Sequence, residues 1–299
     1  MKVRIGFGMG TLGATADAAT FAAIVDALED LRFDSLWVSE RATGPTLDPM
    51  VALSVAAGRT TRIKLGTSVQ VLPGRNPVLL AKQWASLDVL SGGRALPAFG
   101  LGVVDAVEQQ AFGVQREERA SRFDEALPLI RRLWTEPTVD HDGEFYRYEG
   151  VGIGIRPVQQ PPDVWLGGRA PAELRRVGRL ADGWLPSFTT PAEVASGQEA
   201  VLAAAEAAGR AIDPEHWGAL VAYAPMEIPE QVMALVAKRL PGVNPAEVVP
   251  VGHDALRRVL EAYIAVGFTK LVPVPFGSTI DDWDAELTTL AAATLDLTT

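Results

Sequence analysis

Short unbroken apolar runs alternate along the chain with segments whose apolar residues recur every three or four positions. The first kind reads as buried strand, the second as helix with one face turned inward. The strand-like runs are 2–9 (KVRIGFGM), 35–40 (SLWVSE), 63–72 (IKLGTSVQVL), 94–102 (RALPAFGLG), 164–168 (VWLGG), 181–187 (ADGWLPS), 217–224 and 268–275 (FTKLVPVP). Between them, Phe21, Ile24, Val25, Leu28 and Leu31 share one helical face. Segments 48–60, 77–91, 191–209, 229–240, 253–266 and 281–296 also read as helices. Asp48 followed by Pro49 supplies a cap and a first-turn proline. Phe123, Leu127, Ile130 and Trp134 mark a further helix, Pro171 to Leu180 another, and 103–116 is a connection with room for a short one. TVDHDGEFYRYEG (138–150) breaks the alternation. It predicts an inserted hairpin, with Asp142-Gly143 at its turn, covering one end of the fold.

Eight strands, each followed by helix, require parallel pairing and right-handed crossovers. Eight such units in 299 residues predict an α/β fold of the (β/α)8 TIM-barrel type, a single domain over 1–299. The alternative is an open doubly wound sheet. Gly8-x-Gly10-x-x-Gly13 after the first strand matches the dinucleotide fingerprint in form, but that fold leaves the later units unexplained. Composition narrows the classes. A chain that is 48% hydrophobic and 21% charged buries a core and is not disordered. With no cysteine, disulfides, thiolate metal sites and Cys nucleophiles are excluded. The formal charge of −10 argues against nucleic acid or an anionic membrane as partner. No apolar run reaches transmembrane length, and the N-terminus enters a strand at once, so a cytoplasmic location is expected.

In a barrel, function sits on the loops that follow the strands. His141, His216 and His253 fall in the hairpin, at a strand start and at a helix start, so neither a histidine metal centre nor a Ser-His-Asp triad is expected. The strand ends offer Glu40 and Arg41, then Thr67, Ser68 and Gln70, then Asp105 and Glu108. Glu40 and Asp105 are acid/base candidates; each equally suits a solvated loop or, for Glu40, a partner for Arg41. LGGRAPAELRRVGRLADGW (166–184) is the most informative stretch. A strand ends in two glycines and Pro171 opens a helix with no Ser, Thr, Asp or Asn before it. A bound phosphate would satisfy the first-turn N–H groups, with Gly167 and Gly168 permitting close approach and Arg169 and Arg175 adding charge. Water serves the same groups equally well.

FDSLWVSER (33–41), LGTSVQVLPGRNPVLLAKQWASLDVLSGGRA (65–95), FDEALPLIRRLWTE (123–136), FYRYEG (145–150) and RRVGRLADGWLPS (175–187) resemble the luciferase-like monooxygenase superfamily. The likeness is strongest to its actinobacterial oxidoreductases that use the deazaflavin coenzyme F420. It runs from residue 1 to about 190 and is generic beyond. It implies a (β/α)8 barrel with a flavin or deazaflavin across its mouth, F420 foremost and FMN as the alternative. It also implies a non-proline cis peptide at Ser68-Val69 under the ring, Asn76 in the matching RNP motif, and a phosphate site at Gly167, Gly168, Arg169 and Ala170. A basic groove near Arg156, Arg169 and Arg175 would favour an anionic tail. Alcohol dehydrogenases of that branch end strand 2 in an acidic residue and a His base; here the pair is Glu40-Arg41, and arginine takes no proton near neutral pH. Arg41 is then free to polarise a carbonyl, bind a carboxylate or phosphate, or pair with Glu40. The acidic residue after strand 4 matches Asp105, the candidate proton donor.

Three functions follow from the resemblance: F420-dependent hydride transfer to or from a small organic substrate, oxygenation with FMN reduced by a separate flavin or F420 reductase, or flavin binding without turnover. A homodimer is the family-level expectation. Segment 223–252 reads either as an apolar lid or wall, or as a surface helix pair.

Overall fold

Eight parallel strands pair in order around a ring. The computed structural model describes residues 2–11, 17–240, 242–276, 280 and 282–299. The first strand runs over Arg4–Ile5 and Phe7–Met9, the second over Ser35–Val38, the third over Lys64–Thr67 and Gln70–Val71. The fourth covers Ala95–Leu96 and Ala98–Gly100, the fifth Trp165–Leu166 and the sixth Gly183–Trp184. Gly218–Tyr223 and Lys270–Pro275 are the seventh and eighth. Each pairs with the next. Bridges at Trp184↔Trp217 and Ser187↔Leu220 join sixth to seventh, and Arg4↔Lys270 returns the eighth to the first. Gly13, the last glycine of the Gly8-x-Gly10-x-x-Gly13 match, lies outside the described residues.

The helices are α1 (Ala18–Asp30), α2 (Pro49–Arg59), α3 (Pro77–Ser91), α4 (Ala106–Phe112), α5 (Arg119–Thr135) and α6 (Pro171–Leu180). They continue as α7 (Pro191–Ala207), α8 (Glu230–Arg239), α9 (Pro245–Val248), α10 (His253–Ala265) and α11 (Trp283–Thr294). Asp48 caps α2 as its position predicts, accepting from the N–H groups of Met50 and Val51. No helix among the described residues is long and apolar enough to cross a membrane.

Two apolar layers follow from strand alternation. Side chains facing outward, such as Ile5, Leu36 and Leu65, pack under helix residues such as Ile24 and Leu28. Those facing inward fill the barrel. Trp37 and Trp165, on strands that are not neighbours, meet edge to face with centroids 6.3 Å apart, joined by Leu96, Ala98, Leu185 and Val272. At the bottom, Lys270 Nζ lies 2.7 Å from Asp34 Oδ2. A third cluster stands apart: Val232, Val236, Leu240, Val248 and Val249 pack on Ala222, Ala224 and Phe276. This is the 223–252 segment, and it is a lid: α8 brings Leu235 and Lys238 over the mouth.

The hairpin forms from Val139–Asp142 and Arg147–Val151, with one difference from expectation. Asp142 pairs with Arg147, so the turn is 143–146 rather than Asp142-Gly143. The hairpin lies against α5. Glu125 of α5 accepts the N–H groups of Phe145 at 3.0 Å and Tyr146 at 2.9 Å, and no hairpin residue lines the mouth.

Candidate active site

A cleft of about 650 Å³ opens at the carboxyl ends of the strands, within the size range of small-molecule sites. Glu40, Arg41, Ser68, Val69, Asp105, Gly167 and Gly168 all line it. Asn76 does not: its Oδ1 caps α3, accepting from Val78 and Leu79. Arg169 and Ala170 border a neighbouring depression, where Arg169 Nη1 lies 3.8 Å from Glu193.

The floor is the break in the third strand. The Ser68-Val69 peptide is cis, and Ser39 Oγ lies 3.1 Å from both the carbonyl oxygen and the hydroxyl of Ser68. Val69 fits here because two glycines face it. A Cβ at Gly100 would stand 2.5 Å from Val69 Cγ2, and one at Gly167 3.4 Å from Val69 Cγ1.

One wall carries two ion pairs. Glu40 is paired with Arg75 and accepts the Val71 N–H at 2.7 Å. Burial pushes its carboxyl above the usual range, although Arg75 and the Val71 N–H pull the other way. Arg41 Nε is 3.2 Å from Glu108 Oε1, a charge contact whose angle falls outside hydrogen bonding. Among the described residues the terminal nitrogens of Arg41 make no hydrogen bond. Burial would push Glu108 up, but the hydroxyl and N–H of Thr43 and the N–H of Ala42 outweigh it and hold the carboxyl low. Asp105, which also lines the cleft, has a structural task as well. Its Oδ1 caps α4 through the N–H groups of Val107 and Glu108.

The opposite wall is the start of α6. Gly168 has φ +97°, a conformation glycine adopts without strain, and its carbonyl accepts from Trp184 Nε1 at 2.9 Å. Of the N–H groups at this helix end, those of the two residues before Pro171 are occupied. Glu173 Oε2 accepts from Arg169 N and Ala170 N, both at 2.9 Å. The basic groove also differs. Arg156 donates to the Thr135 carbonyl at 2.8 Å, and Arg175 is exposed. Arg176 reaches the cleft instead, with Nε 2.5 Å from Asp124. No histidine lines the cleft. His141 and His253 face Glu125 and Glu286. Among the described residues no cluster of three or more His, Asp or Glu is placed to hold a metal.

Residues 3–263 match the luciferase-like monooxygenase family. The chain belongs to that family. The F420-dependent glucose-6-phosphate dehydrogenase of Kineococcus radiotolerans is 33% identical over 167 residues, 52% of this chain and 49% of that protein. The chain thus matches about half the length of that relative. Among solved structures, an F420-dependent secondary alcohol dehydrogenase in complex with an F420-acetone adduct superposes with TM-score 0.84 at 16% identity, covering 100% of both chains. The FMN-bound oxygenating constituent of 3,6-diketocamphane monooxygenase from Pseudomonas putida superposes with TM-score 0.78 at 16% identity, covering 100% of this chain and 98% of the other. At these identities the superpositions establish the barrel alone.

Three cleft residues of this luciferase-like chain, Arg176, Glu173 and Lys238, stand outside the sequence-predicted set, and the partners of a fourth, Glu108, were not foreseen. Glu108 sits three positions after the Asp105 cap, on the inner side of α4, and its partners lie some 65 positions away. Arg176 rather than Arg175 follows from where α6 begins. Glu173 had a signal: a Glu at N3 reaches back to N-cap N–H groups in a capping box even when the cap residue has no side-chain acceptor. Lys238 arrives on the lid, and no local pattern announces it. It has no ion-pair partner among the described residues.

Proposed function

We propose that the chain is an oxidoreductase of the flavin and deazaflavin class that moves hydride between an F420-type ring and a small organic substrate. The observation that carries this reading is the mouth itself: the Ser68-Val69 floor with Arg41 and Glu40 on one wall, in a chain whose curated relatives include an F420-dependent dehydrogenase. Val69, Gly100 and Gly167 fit a flat ring, because the two glycines leave the floor free of other side chains. The α6 end does not fit a phosphate as it stands, since Glu173 holds the N–H groups there.

The cofactor, when bound, supplies the carbon that gives or takes hydride. The chain supplies the rest. Arg41 directs free guanidinium donors at a substrate oxygen, where they stabilise developing negative charge. Glu40 delivers or removes the proton at that oxygen, its buried carboxyl being biased toward the protonated form. Asp105 is the weaker candidate because one of its oxygens is committed to α4. Leu235 and Phe276 shield the site from water.

Titration of the purified protein with F420 and with FMN, each oxidised and reduced, tests the reading. Selective F420 binding followed by turnover of a carbonyl or alcohol is expected. Preference for reduced FMN with oxygen consumption would favour oxygenation instead, the chemistry named for the FMN-bound structural neighbour. Binding of neither would overturn both.

A further inference from the structure

We infer that Glu173 is a specificity residue that turns phosphate away from the α6 end of the cleft, so that the site takes a ring ligand with no phosphate at that position. The inference rests on the flavin or deazaflavin reading above. Its basis is geometric. Glu173 belongs to the cleft wall. Its Oε2 holds the N–H groups of Arg169 and Ala170 at 2.9 Å each, the donors that an anion at this helix end would need. Its side chain also lies over the one stretch of backbone that glycine leaves bare: a Cβ at Gly168 would stand 2.7 Å from both Cβ and Cδ of Glu173. The seat and the approach to it are filled by the same carboxylate.

The surrounding charge does not offset it. Arg176 is engaged by Asp124 at 2.5 Å, and Arg179 reaches the same carboxylate at 2.8 Å. Arg169 faces Glu193. A phosphate entering here meets Glu173 while Arg176 is already paired, and must displace a carboxylate from the helix end. The reciprocal cap on α7 shows the contrast. There Thr190 N donates to Glu193 at 2.7 Å and the Thr190 hydroxyl receives the Glu193 N–H at 3.3 Å. Ala170 has no hydroxyl to return the bond, so Glu173 alone closes α6.

Two titrations on the full chain, wild type beside Glu173→Gln and Glu173→Ala, test this. In the first, inorganic phosphate is added while the amide resonances of Arg169 and Ala170 are followed. They should stay still in the wild type and move in both variants. In the second, calorimetry compares FMN with riboflavin, and F420 with its phosphate-free deazaflavin. The wild type should bind the phosphate-free member at least as tightly. The variants should gain about tenfold for the phosphorylated member, with the phosphate-free one unchanged. Glu173→Gln keeps an oxygen acceptor at the cap, so its thermal midpoint separates lost charge from lost fold. Wild-type preference for the phosphorylated member, or variants that leave phosphate response and ligand ratio unaltered, overturns the inference. If no ring compound binds any variant, the functional reading fails, and the phosphate titration alone decides the role of Glu173.

Discussion

Gly100→Ala is the sharpest test of how the floor of the cleft is built. The added methyl would meet Val69 Cγ2 at 2.5 Å and Val69 Cβ at 3.4 Å. Real side chains do not tolerate the first distance. The valine must shift, carrying Ser68-Val69 with it. Overpacking of this kind costs about 1–3 kcal/mol. Val69→Ala alone removes two half-buried methyls, about 0.8 kcal/mol in all. In the double variant the space vacated by valine receives the new methyl, so its cost should approach that of Val69→Ala by itself. The coupling between the two sites is then about 1–3 kcal/mol, opposite in sign to the single losses. Urea denaturation of the four proteins measures it, and ring-ligand titration reads the floor directly. Affinity should fall in Gly100→Ala and recover in the double variant. Additive losses, or a Gly100→Ala variant as stable as wild type and as tight for ligand, would refute the packing argument.

Other outcomes follow from the charged groups. Arg41→Ala should lower kcat by about 10²–10³ while leaving ring-ligand affinity near that of wild type, checked by steady-state kinetics beside titration. Because burial raises Glu40 in the folded protein, its protonated form persists above the 4.5 of an ordinary glutamate. In the direction in which Glu40 delivers the proton, activity should therefore decline as pH rises through the raised value, and Glu40→Gln should abolish that limb of the pH–rate profile. Glu108 has the opposite sign. Its folded-state pKa is lowered, so its contribution to stability is present above 4.5 and fades as pH falls through the folded value. Glu108→Gln should cost about 1.5–3 kcal/mol at neutral pH and progressively less in acid, measured by urea midpoints across pH. At the closed end, Lys270→Ala strands Asp34 without its cation and should destabilise by about 3–5 kcal/mol, whereas Lys270→Ala with Asp34→Ala should recover part of that loss.

The barrel was legible because each strand is an apolar run buried on both faces, and such runs stand out against helices with one polar face. The mouth was legible for a related reason: a residue that ends a strand must lie there, which is how Glu40, Arg41, Ser68, Val69, Gly167 and Gly168 came together. What could not be read is which partner each charge chooses. Asp105 and Glu108 are both acidic and three positions apart. Only the path of 41–46 decides that Glu108 turns in to Thr43 while Asp105 stays at the helix end. The same holds at α6, where Arg175 and Arg176 differ by one step of helical phase. The hairpin was legible in kind, but its anchor, Glu125, sits in α5 and carries no mark of that task in sequence.

The separate apolar cluster of the lid bears on how such a protein changes over time. Val232, Val236, Leu240, Val248 and Val249 satisfy one another and touch the barrel chiefly through Ala222, Ala224 and Phe276. Sequence drift in 225–252 therefore spends little of the stability held in the tryptophan-filled interior, yet it alters what Leu235 and Lys238 present to an incoming molecule. A scaffold arranged this way can try new substrates without first becoming more stable, and the lid is the segment to randomise when a new one is wanted.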